Sequence, residues 1–452
     1  MGMQFKILRH IELQLASKQR FVALLLMCMA LAIAAGERSA LSVAGPALSD
    51  DLKLNTIELG WLLSAFAWSY VIAHIPVGLV VEYYGTRRTI GLGMLLSAMI
   101  SLVMAAAGVP VFAQFALWIM FTARIILGVI QAPIGSSSGI VMSAWFPKTE
   151  RGVAGSIYSS MPLIAVAFLN PLFGYVADHH GWQAMFVTVA FISLLAASVW
   201  FSEFQLPMTS KRLRFREKMY LERGGALLQS QENRKNINYV KSDISVFTQL
   251  LKIFGNRMMG GFLVAQYTTT SITWFFVAWF PTFLVSTYGF SISEAASASA
   301  IPAIAGFLGG VCVGFVSDHA LKRTDNLTFA RKLPVYLGMS LVTGVFLLAP
   351  SITDPWLVIK LMAVAFFGKG VATMGWTITS DIAPANKIGL AGSTINAVGN
   401  ISGIMTPIAI GYLVAIFGDF SWALYFMAAH GLVALFCHTF VIGELKRMEP
   451  IQ

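Results

Sequence analysis

The chain has 452 residues, of which 57% are hydrophobic and only 12% are charged, with a formal net charge of +10. Soluble domains carry about 25% charged residues, so this composition excludes an ordinary soluble protein and indicates one embedded in a bilayer. The positive charge alone would suggest a nucleic-acid partner, but its distribution along the chain excludes that class.

Apolar runs along the chain predict an all-α membrane protein with twelve transmembrane helices. Each run is near the ~20 residues that cross the hydrocarbon of a bilayer. The runs are residues 20–45, 57–81, 89–109, 111–143, 152–177, 182–203, 258–287, 293–317, 332–350, 355–380, 388–416 and 420–443. One long polar segment separates two groups of six. We therefore expect a first half at 1–203, a cytoplasmic central loop at 204–257 and a second half at 258–452.

Lysine and arginine are concentrated in alternate connections between the runs. They occur before the first run, in the second connection, throughout the central loop and after the last run, whereas Lys53 is the only one on the other side. Because cytoplasmic connections carry the excess of basic residues, this pattern predicts that both termini are cytoplasmic. The net charge is thus explained by topology, and we expect no nucleic-acid partner.

Four charged residues interrupt the apolar runs far from their ends. They are Glu37, Arg38, Arg124 and Lys369. A charge at the centre of a span costs roughly 2.5–3.5 kcal/mol, so such residues face protein or water and mark the path of an ion or a charged solute. A guanidinium matches a carboxylate with its planar fork, and Arg38 and Arg124 are therefore predicted to bind an anion. The alternative is that either one pairs with Glu37 or with helix carbonyls.

Two residues are candidates for proton coupling. A cavity that alternately fills with water and empties can change the protonation state of Glu37. The alternative is a permanent pair between Glu37 and an arginine. His74 lies four residues after Tyr70 on one helix face and titrates near neutral pH, although a packing role is the alternative. Lys369 precedes Trp376 by two helical turns, and it can bind a second carboxylate or pair with an acid.

A short motif occurs at the same place in both groups of six. Residues 78–88 run from a glycine through Glu82 to Arg87 and Arg88, and residues 314–318 run from a glycine to Asp318. This repetition predicts two pseudo-symmetric halves related by an axis along the membrane normal, with a solute site between them.

These residues resemble the major facilitator superfamily. Residues 78–88 are similar to its signature loop, with Glu82 where Asp is usual, and residues 124–128 are similar to its helix-four motif. The chain further resembles the anion:cation symporter family, especially bacterial importers of galactonate, glucarate and hexuronate. The stretches that carry this second resemblance are residues 37–44, 64–70, 274–281, 363–368 and 388–396.

The resemblance implies roles for particular residues. Those that fall where the family contacts its sugar acid are Arg38, Tyr70, Arg124, Trp376 and Asn396, and Glu37 falls on the carboxylate that couples transport to protons. A cytoplasmic latch of the outward-open state is expected from Glu82, Arg87, Arg88 and Asp318. The departures from the family pattern are Gln131 in place of a titratable Glu, Pro162 and Gly375 in place of polar residues, and Lys369 at a position that is usually uncharged.

The sequence therefore predicts a monomeric transporter of a bacterial inner membrane that imports an organic anion, most of all a sugar acid. We expect H⁺ as the coupling ion, with Na⁺ as an alternative, and neither cofactor nor metal. An uncoupled or exchange-type carrier on the same fold, for an aromatic acid or a dicarboxylate, is the alternative that Gln131 favours. A membrane sensor would need a signalling domain. An enzyme is not expected, since the serine motif at 135–139 lies inside an apolar helix.

Overall fold

The structure is a computed structural model that describes residues 19–147, 149–228, 246–384 and 387–449. Over these residues it contains helices and connections without any strand. A few helical residues are described by their backbone alone, namely 74, 75, 78, 79, 82, 152, 246, 247, 314, 315, 318, 376, 388 and 389.

The first half contains six membrane-crossing helices. They are α1 Gln19–Leu52, α2 Thr56–Tyr84, α3 Thr86–Ala106, α4 Ala116–Trp145, and the continuous stretch Arg151–Glu203, which we divide at Gly181 into α5 (151–180) and α6 (182–203). Gly181 has a φ of 83°, which L side chains rarely adopt, so the glycine permits the sharp reversal between α5 and α6. Helix α2 begins with a capping box in which Asn55 and Glu58 bind each other's backbone N–H groups.

Two short helices lie in the central segment and a second set of long helices follows. The two short helices are α7 Phe215–Arg223 and α8 Val246–Phe254. The second set begins with α9 Arg257–Tyr288, which has a π turn at Phe275–Trp279, and α10 Ile292–Ala298, which continues as Ala300–Thr324. It goes on with α11 Leu327–Leu348, α12 Pro355–Val371, the short α13 Gly375–Ile382, α14 Ile388–Phe417 and α15 Ser421–Phe436, which ends in a π turn at Cys437–Val441.

Ten stretches of the described chain are long and apolar enough to cross a bilayer. One of them, Val153–Glu203, includes the reversal at Gly181 and therefore contains two crossings. Helix α12 has 17 residues and is continued after a three-residue break by α13. The division at Gly181 gives eleven crossings among the described residues, and α12 must be counted as well to reach twelve, so the number twelve stays a prediction. The predicted run 355–380 is wrong in one respect, because the helix is interrupted between Val371 and Gly375.

The two halves pack their helices in the same order. In the first half α1 packs on α5, α2 on α4 and α3 on α6, and in the second half α9 packs on α14, α10 on α12 and α11 on α15. Glycines permit equivalent close approaches, since a Cβ at Gly128 would lie 2.4 Å from the Phe66 carbonyl oxygen and one at Gly309 would lie 2.1 Å from that of Phe367. This correspondence is what a parallel repeat predicts.

The halves touch each other near the face opposite to the basic connections. The Ser42 hydroxyl of α1 donates to the Ala278 carbonyl of α9 over 2.7 Å, and that of Thr56 donates to Gly411 of α14 over 3.2 Å. Helices α5 and α10 meet where Gly174 packs against Ala296. In contrast, the ion pairs of the described residues at the basic face, such as Arg20–Glu150 and Arg331–Asp381, each lie within one half. The described contacts therefore close the protein at the face opposite to the basic one.

The contact at Gly60 provides a test of this conformation. A Cβ at Gly60 would lie 2.7 Å from the Pro407 carbonyl oxygen, whereas one at Gly344 meets no atom within 4 Å. We expect Gly60→Leu to separate the halves there and to favour closure at the basic face. Spin labels at Thr149 and Arg323, in a chain whose three native cysteines are replaced by serine, should report a shorter distance. Gly344→Leu is the matched control, and an unchanged distance in Gly60→Leu would contradict this assignment.

Candidate functional site

Glu37 is buried inside the first half, with only 5% of the residue exposed. The Gln131 amide of α4 donates a hydrogen bond to its Oε2, and the Ser193 hydroxyl of α6 donates to its Oε1 over 2.5 Å. Ser97 of α3 lies beside the same carboxylate. A buried carboxylate needs such partners, and here neutral side chains from three helices supply them.

Arg38 is half-buried and points away from Glu37, because successive side chains on a helix diverge by about 100°. Its guanidinium lies 5.5 Å from the centre of the Phe66 ring and 5.8 Å from that of Tyr70. Within the described part of the chain the Arg38 side chain forms neither a hydrogen bond nor an ion pair. Its fork is therefore available to a ligand, and the two aromatic residues hold its position.

Arg124 is almost completely buried, with 2% of the residue exposed, whereas Arg38 is half-buried. Its Nη1 lies 3.4 Å from the Glu37 carbonyl oxygen and 3.5 Å from that of Arg38, and its Nε has no hydrogen-bond partner among the described residues. The structure thus brings Arg124 next to Arg38, as predicted, but directs it at the backbone of α1. This is the alternative of helix-carbonyl pairing, and of the two arginines it is Arg38 whose guanidinium forms no hydrogen bond with a described residue.

Lys369 of α12 lies at about the same depth as Arg38 but in the opposite half. Arg38 lies 14 residues before Leu52, where α1 ends, and Lys369 lies 14 residues after Pro355, where α12 begins. At 1.5 Å per residue, each lies about 21 Å from the face opposite to the basic one. The Lys369 ammonium lies 5.8 Å from the centre of the Phe366 ring, and no hydrogen bond or ion pair to a described residue satisfies it.

Phe366 connects Lys369 to the junction of the two halves. It lines a small cavity together with Leu163 and Val166 of the first half and Phe276 of the second. This cavity is apolar, and it adjoins the interhalf contacts that close the protein. Lys369 is thus one helical turn from the seam between the halves, toward the basic face.

Helices α9 and α14 of the second half carry amides and hydroxyls that contact one another. Asn396 is exposed, and its backbone and side-chain oxygens accept from the Asn400 amide over 2.9 and 3.4 Å. Gln266 donates to Thr270 over 3.3 Å. A Cβ at Gly375, where a hydroxyl-bearing residue was expected, would lie 2.7 Å from the Gln266 Oε1, so the glycine packs directly against that amide.

Several predicted residues have side chains outside the described residues. These are His74, Glu82, Asp318 and Trp376. Of the predicted latch, Arg87 donates to the Phe201 carbonyl and its own carbonyl accepts from Trp200, so its described contacts stay within the first half. Arg88 is exposed. The latch residues were assigned to the outward-open state, and their described contacts do not test that role.

The partners of Glu37 are the part of the site that the sequence did not reveal. Ser97 and Ser193 lie in apolar runs that contain other hydroxyls, such as Ser101 and Ser198, so no signal in the sequence distinguishes them. Ser39, which donates to Asn170 over 2.7 Å, and Tyr158, which donates to the Ile134 carbonyl over 2.9 Å, also escaped notice. Hydroxyls commonly bind their own helix, so the sequence pattern cannot distinguish the two uses.

Comparison with known proteins identifies relatives over most of the chain. Residues 27–330 match the family described as "Major Facilitator Superfamily". An Escherichia coli K12 protein named "Probable galactarate/D-glucarate transporter GudP" is 36% identical over 417 residues, which cover 92% of this chain and 91% of that protein. An Escherichia coli O6:H1 protein named "D-galactonate transporter" is 29% identical and is covered to 97%.

Solved structures agree with the fold. The crystal structure of a D-xylose-proton symporter superimposes with a TM-score of 0.68 at 18% sequence identity, over 95% of this chain and 99% of that one. At this identity the likeness concerns the arrangement of helices alone. It confirms the predicted all-α membrane architecture.

The hydrogen bond between Ser193 and Glu37 leads to a stability prediction. Ser193→Ala removes a donor from a buried carboxylate, and hydrogen bonds to charged groups contribute about 1.5–3 kcal/mol. Ser101, also buried, donates to the Ser97 carbonyl of its own helix, so Ser101→Ala is the matched control. We expect Ser193→Ala to lower the free energy of unfolding in mixed micelles by that amount and the control by less than about 1 kcal/mol. Equal losses would show that Ser193 does not support Glu37.

Proposed function

The chain belongs to the Major Facilitator Superfamily, and on that premise we propose that it imports sugar acids, with diacids preferred, by proton symport with alternating access. Members of this superfamily move solutes across membranes, so the protein is a transporter and not an enzyme. We further propose that it lies in a bacterial inner membrane with both termini cytoplasmic, as the distribution of basic residues favours.

One observation carries the substrate proposal. Arg38 and Lys369 are cations without hydrogen-bond or ion-pair partners among the described residues, at similar depths on opposite halves. Leaving a charge uncompensated in a low-dielectric interior is costly, so two such cations favour a ligand that carries two negative charges. A sugar diacid has a carboxylate at each end and hydroxyls between them. The 36% identical relative is named for galactarate and D-glucarate, which supports the same class.

The proposed mechanism assigns different steps to the charged groups. One carboxylate of the substrate binds the Arg38 fork, and the other binds the Lys369 ammonium, while Asn396 and Asn400 bind hydroxyls. The ligand joins the two halves, since its ends are held by α1 and α12. Once the substrate neutralises both cations and Glu37 is protonated, the net charge of the loaded site is smaller. The two halves can then rock about the bound substrate without moving a large charge across the membrane.

Glu37 is proposed as the proton carrier because its carboxylate is buried and forms no ion pair with another described residue. Gln131 and the serines are neutral, so they can remain in place whether Glu37 is charged or protonated. A Gln131 amide can donate to a carboxylate or, after rotation, accept from a carboxylic acid. In this interpretation Gln131 does not remove coupling, because a single titrating residue is enough.

A substitution series tests the substrate proposal. Proteoliposomes with wild-type protein should take up galactarate and D-glucarate, and more slowly the monoacid D-galactonate. Arg38→Gln should reduce uptake of all three by at least about 100-fold, as loss of a charge-assisted contact costs about 3 kcal/mol. Lys369→Gln should reduce diacid uptake by at least about tenfold and leave monoacid uptake within about twofold, since a monoacid does not need the second cation.

The controls distinguish binding from folding. Lys360 is also on α12 but is exposed near its beginning, so Lys360→Gln should leave uptake of every substrate unchanged. Binding measured by thermal shift should follow the same order as uptake. If the wild-type protein moves none of these acids, the proposed function is wrong. If Lys369→Gln reduces monoacid and diacid uptake equally, only the role of Lys369 is wrong.

Coupling is tested at Glu37. Glu37→Gln keeps the hydrogen-bonding shape of the side chain but fixes it in a neutral form. We expect this variant to lose accumulation driven by a pH gradient and to retain exchange of labelled for unlabelled substrate. Accumulation that persists in Glu37→Gln would exclude Glu37 as the carrier. Accumulation of the wild-type protein that follows a sodium gradient alone would favour Na⁺ as the coupling ion.

A further inference from the structure

The fourth membrane helix of each half is weakened at the same distance from its start. In the first half Pro133 lies 17 residues after the beginning of α4, and it lacks the N–H that an α-helix needs. In the second half the break at 372–374 begins 17 residues after the beginning of α12. The segments beyond these points, residues 134–145 of α4 and all of α13, lead to the basic face. They can bend relative to the helices before them, since kinks form at such positions.

The end of α13 is fastened to the chain that follows the last helix. The Arg447 guanidinium donates to the Ser380 carbonyl over 2.6 Å, and the Met448 amide donates to the Ile382 carbonyl over 2.9 Å. These carbonyls belong to the last turn of α13, where a helix leaves its carbonyls without partners. Residues 442–449 thus hold the end of α13, and we call them the second strap.

The second strap is anchored in turn to other helices of its half. The His438 carbonyl, in the π turn just before the strap, accepts from the Tyr336 hydroxyl over 3.1 Å and from the Lys332 ammonium, both of α11. Within the strap, the buried Leu445 donates its backbone N–H to the Thr328 hydroxyl of α11 over 2.9 Å. The strap therefore ties the end of α13 to α11 of the same half.

The first half fastens the end of α4 by the same means, an arginine and a backbone N–H. The Arg151 guanidinium donates to the Ser143 carbonyl over 3.0 Å, and the Leu227 amide donates to the same carbonyl over 2.9 Å. Leu227 belongs to residues 204–228, which follow α6 and which we call the first strap. This strap is anchored to α1, because the buried Glu217 carboxylate accepts from the first two backbone N–H groups of α1 over 3.4 and 3.3 Å.

We propose that the two straps stabilise the conformation that is open at the basic face, by holding the ends of α4 and α13 away from the passage. The described hydrogen bonds between the halves, such as that from Ser42 to Ala278, involve neither α4 nor α13. Closure at the basic face brings the halves together there, and the two helix ends can bend into that contact. Bending withdraws the last carbonyls of each helix from its strap, so the straps oppose closure. The proposal rests on alternating access, as proposed above, but not on the identity of the substrate.

The reactivity of a thiol at the opposite face tests the proposal without any substrate. The Thr282 hydroxyl is buried between the halves, where a Cβ at Gly45 would lie 3.0 Å from it. In a chain whose native cysteines are replaced by serine, Thr282→Cys should react with a maleimide only while the halves are apart there, at a rate proportional to that population. Arg447→Gln and Arg151→Gln should each raise the rate at least about twofold, since each removes hydrogen bonds from one of two conformations.

Matched controls remove the same charge nearby. Lys446→Gln is the control for Arg447→Gln, since the Lys446 side chain is exposed and its ion pair with Glu444 lies at the surface. Lys211→Gln, an exposed cation of the first strap, is the control for Arg151→Gln. Both controls should change the rate by less than about 1.5-fold. Equal increases in controls and strap variants would show that net charge sets the rate, and an unchanged or lower rate in the strap variants would likewise overturn the proposal.

A further variant and a second thiol separate the role of the straps from unfolding. Met448→Pro keeps the charge but removes the N–H that binds Ile382, so it should also raise the rate at Thr282→Cys. A thiol from Ser101→Cys, buried inside the first half, should stay unreactive in every strap variant. If it reacts in parallel with Thr282→Cys, general unfolding accounts for the increase and the proposal is wrong. Since no sugar acid is present, a protein that failed to transport one would still give a clear result.

Discussion

The arrangement of this protein depends on how it accommodates charge inside a bilayer. Glu37 is stabilised by Gln131 and Ser193, which belong to helices that the sequence separates widely. Arg124 is bound to the backbone of α1. Arg38 and Lys369 lie beside aromatic rings and form no hydrogen bond or ion pair with a described residue. The charges that are compensated hold the first half together, and those without a described partner are the positions at which we propose that a ligand binds.

The closed end of the protein lies next to these two cations. Ser42, which donates to Ala278 of the other half, is one helical turn from Arg38. The described seam is formed by small residues and backbone carbonyls, such as Gly60 against Pro407, and such contacts can be made and broken without exposing a charge. A solute held between Arg38 and Lys369 would therefore lie just inside the closed end, where it can influence whether the halves separate there.

The likeness to sugar-acid transporters and the electrostatics of the site point to the same class of substrate by independent routes. One rests on sequence identity over nine-tenths of the chain. The other rests on two cations at similar depth, Arg38 and Lys369, that have no hydrogen-bond or ion-pair partner among the described residues. The element formed by residues 204–228 is separate from both, since it lies at the basic face and binds α1, α4 and α5 from below.

The sequence by itself determined the membrane class, the approximate limits of most membrane helices, the repeat, and the presence of Glu37, Arg38, Arg124 and Lys369 in apolar surroundings. These follow from local hydrophobicity and from the cost of buried charge, which require no knowledge of neighbours. Only the tertiary structure decided that Arg124 contacts helix carbonyls and that Ser97 and Ser193 lie against the Glu37 carboxylate. It also decided that Glu217 and Tyr220 bind the central segment to the first half. Those outcomes depend on which helices are adjacent, and hydroxyls and arginines have several partners of similar energy within reach until packing selects one.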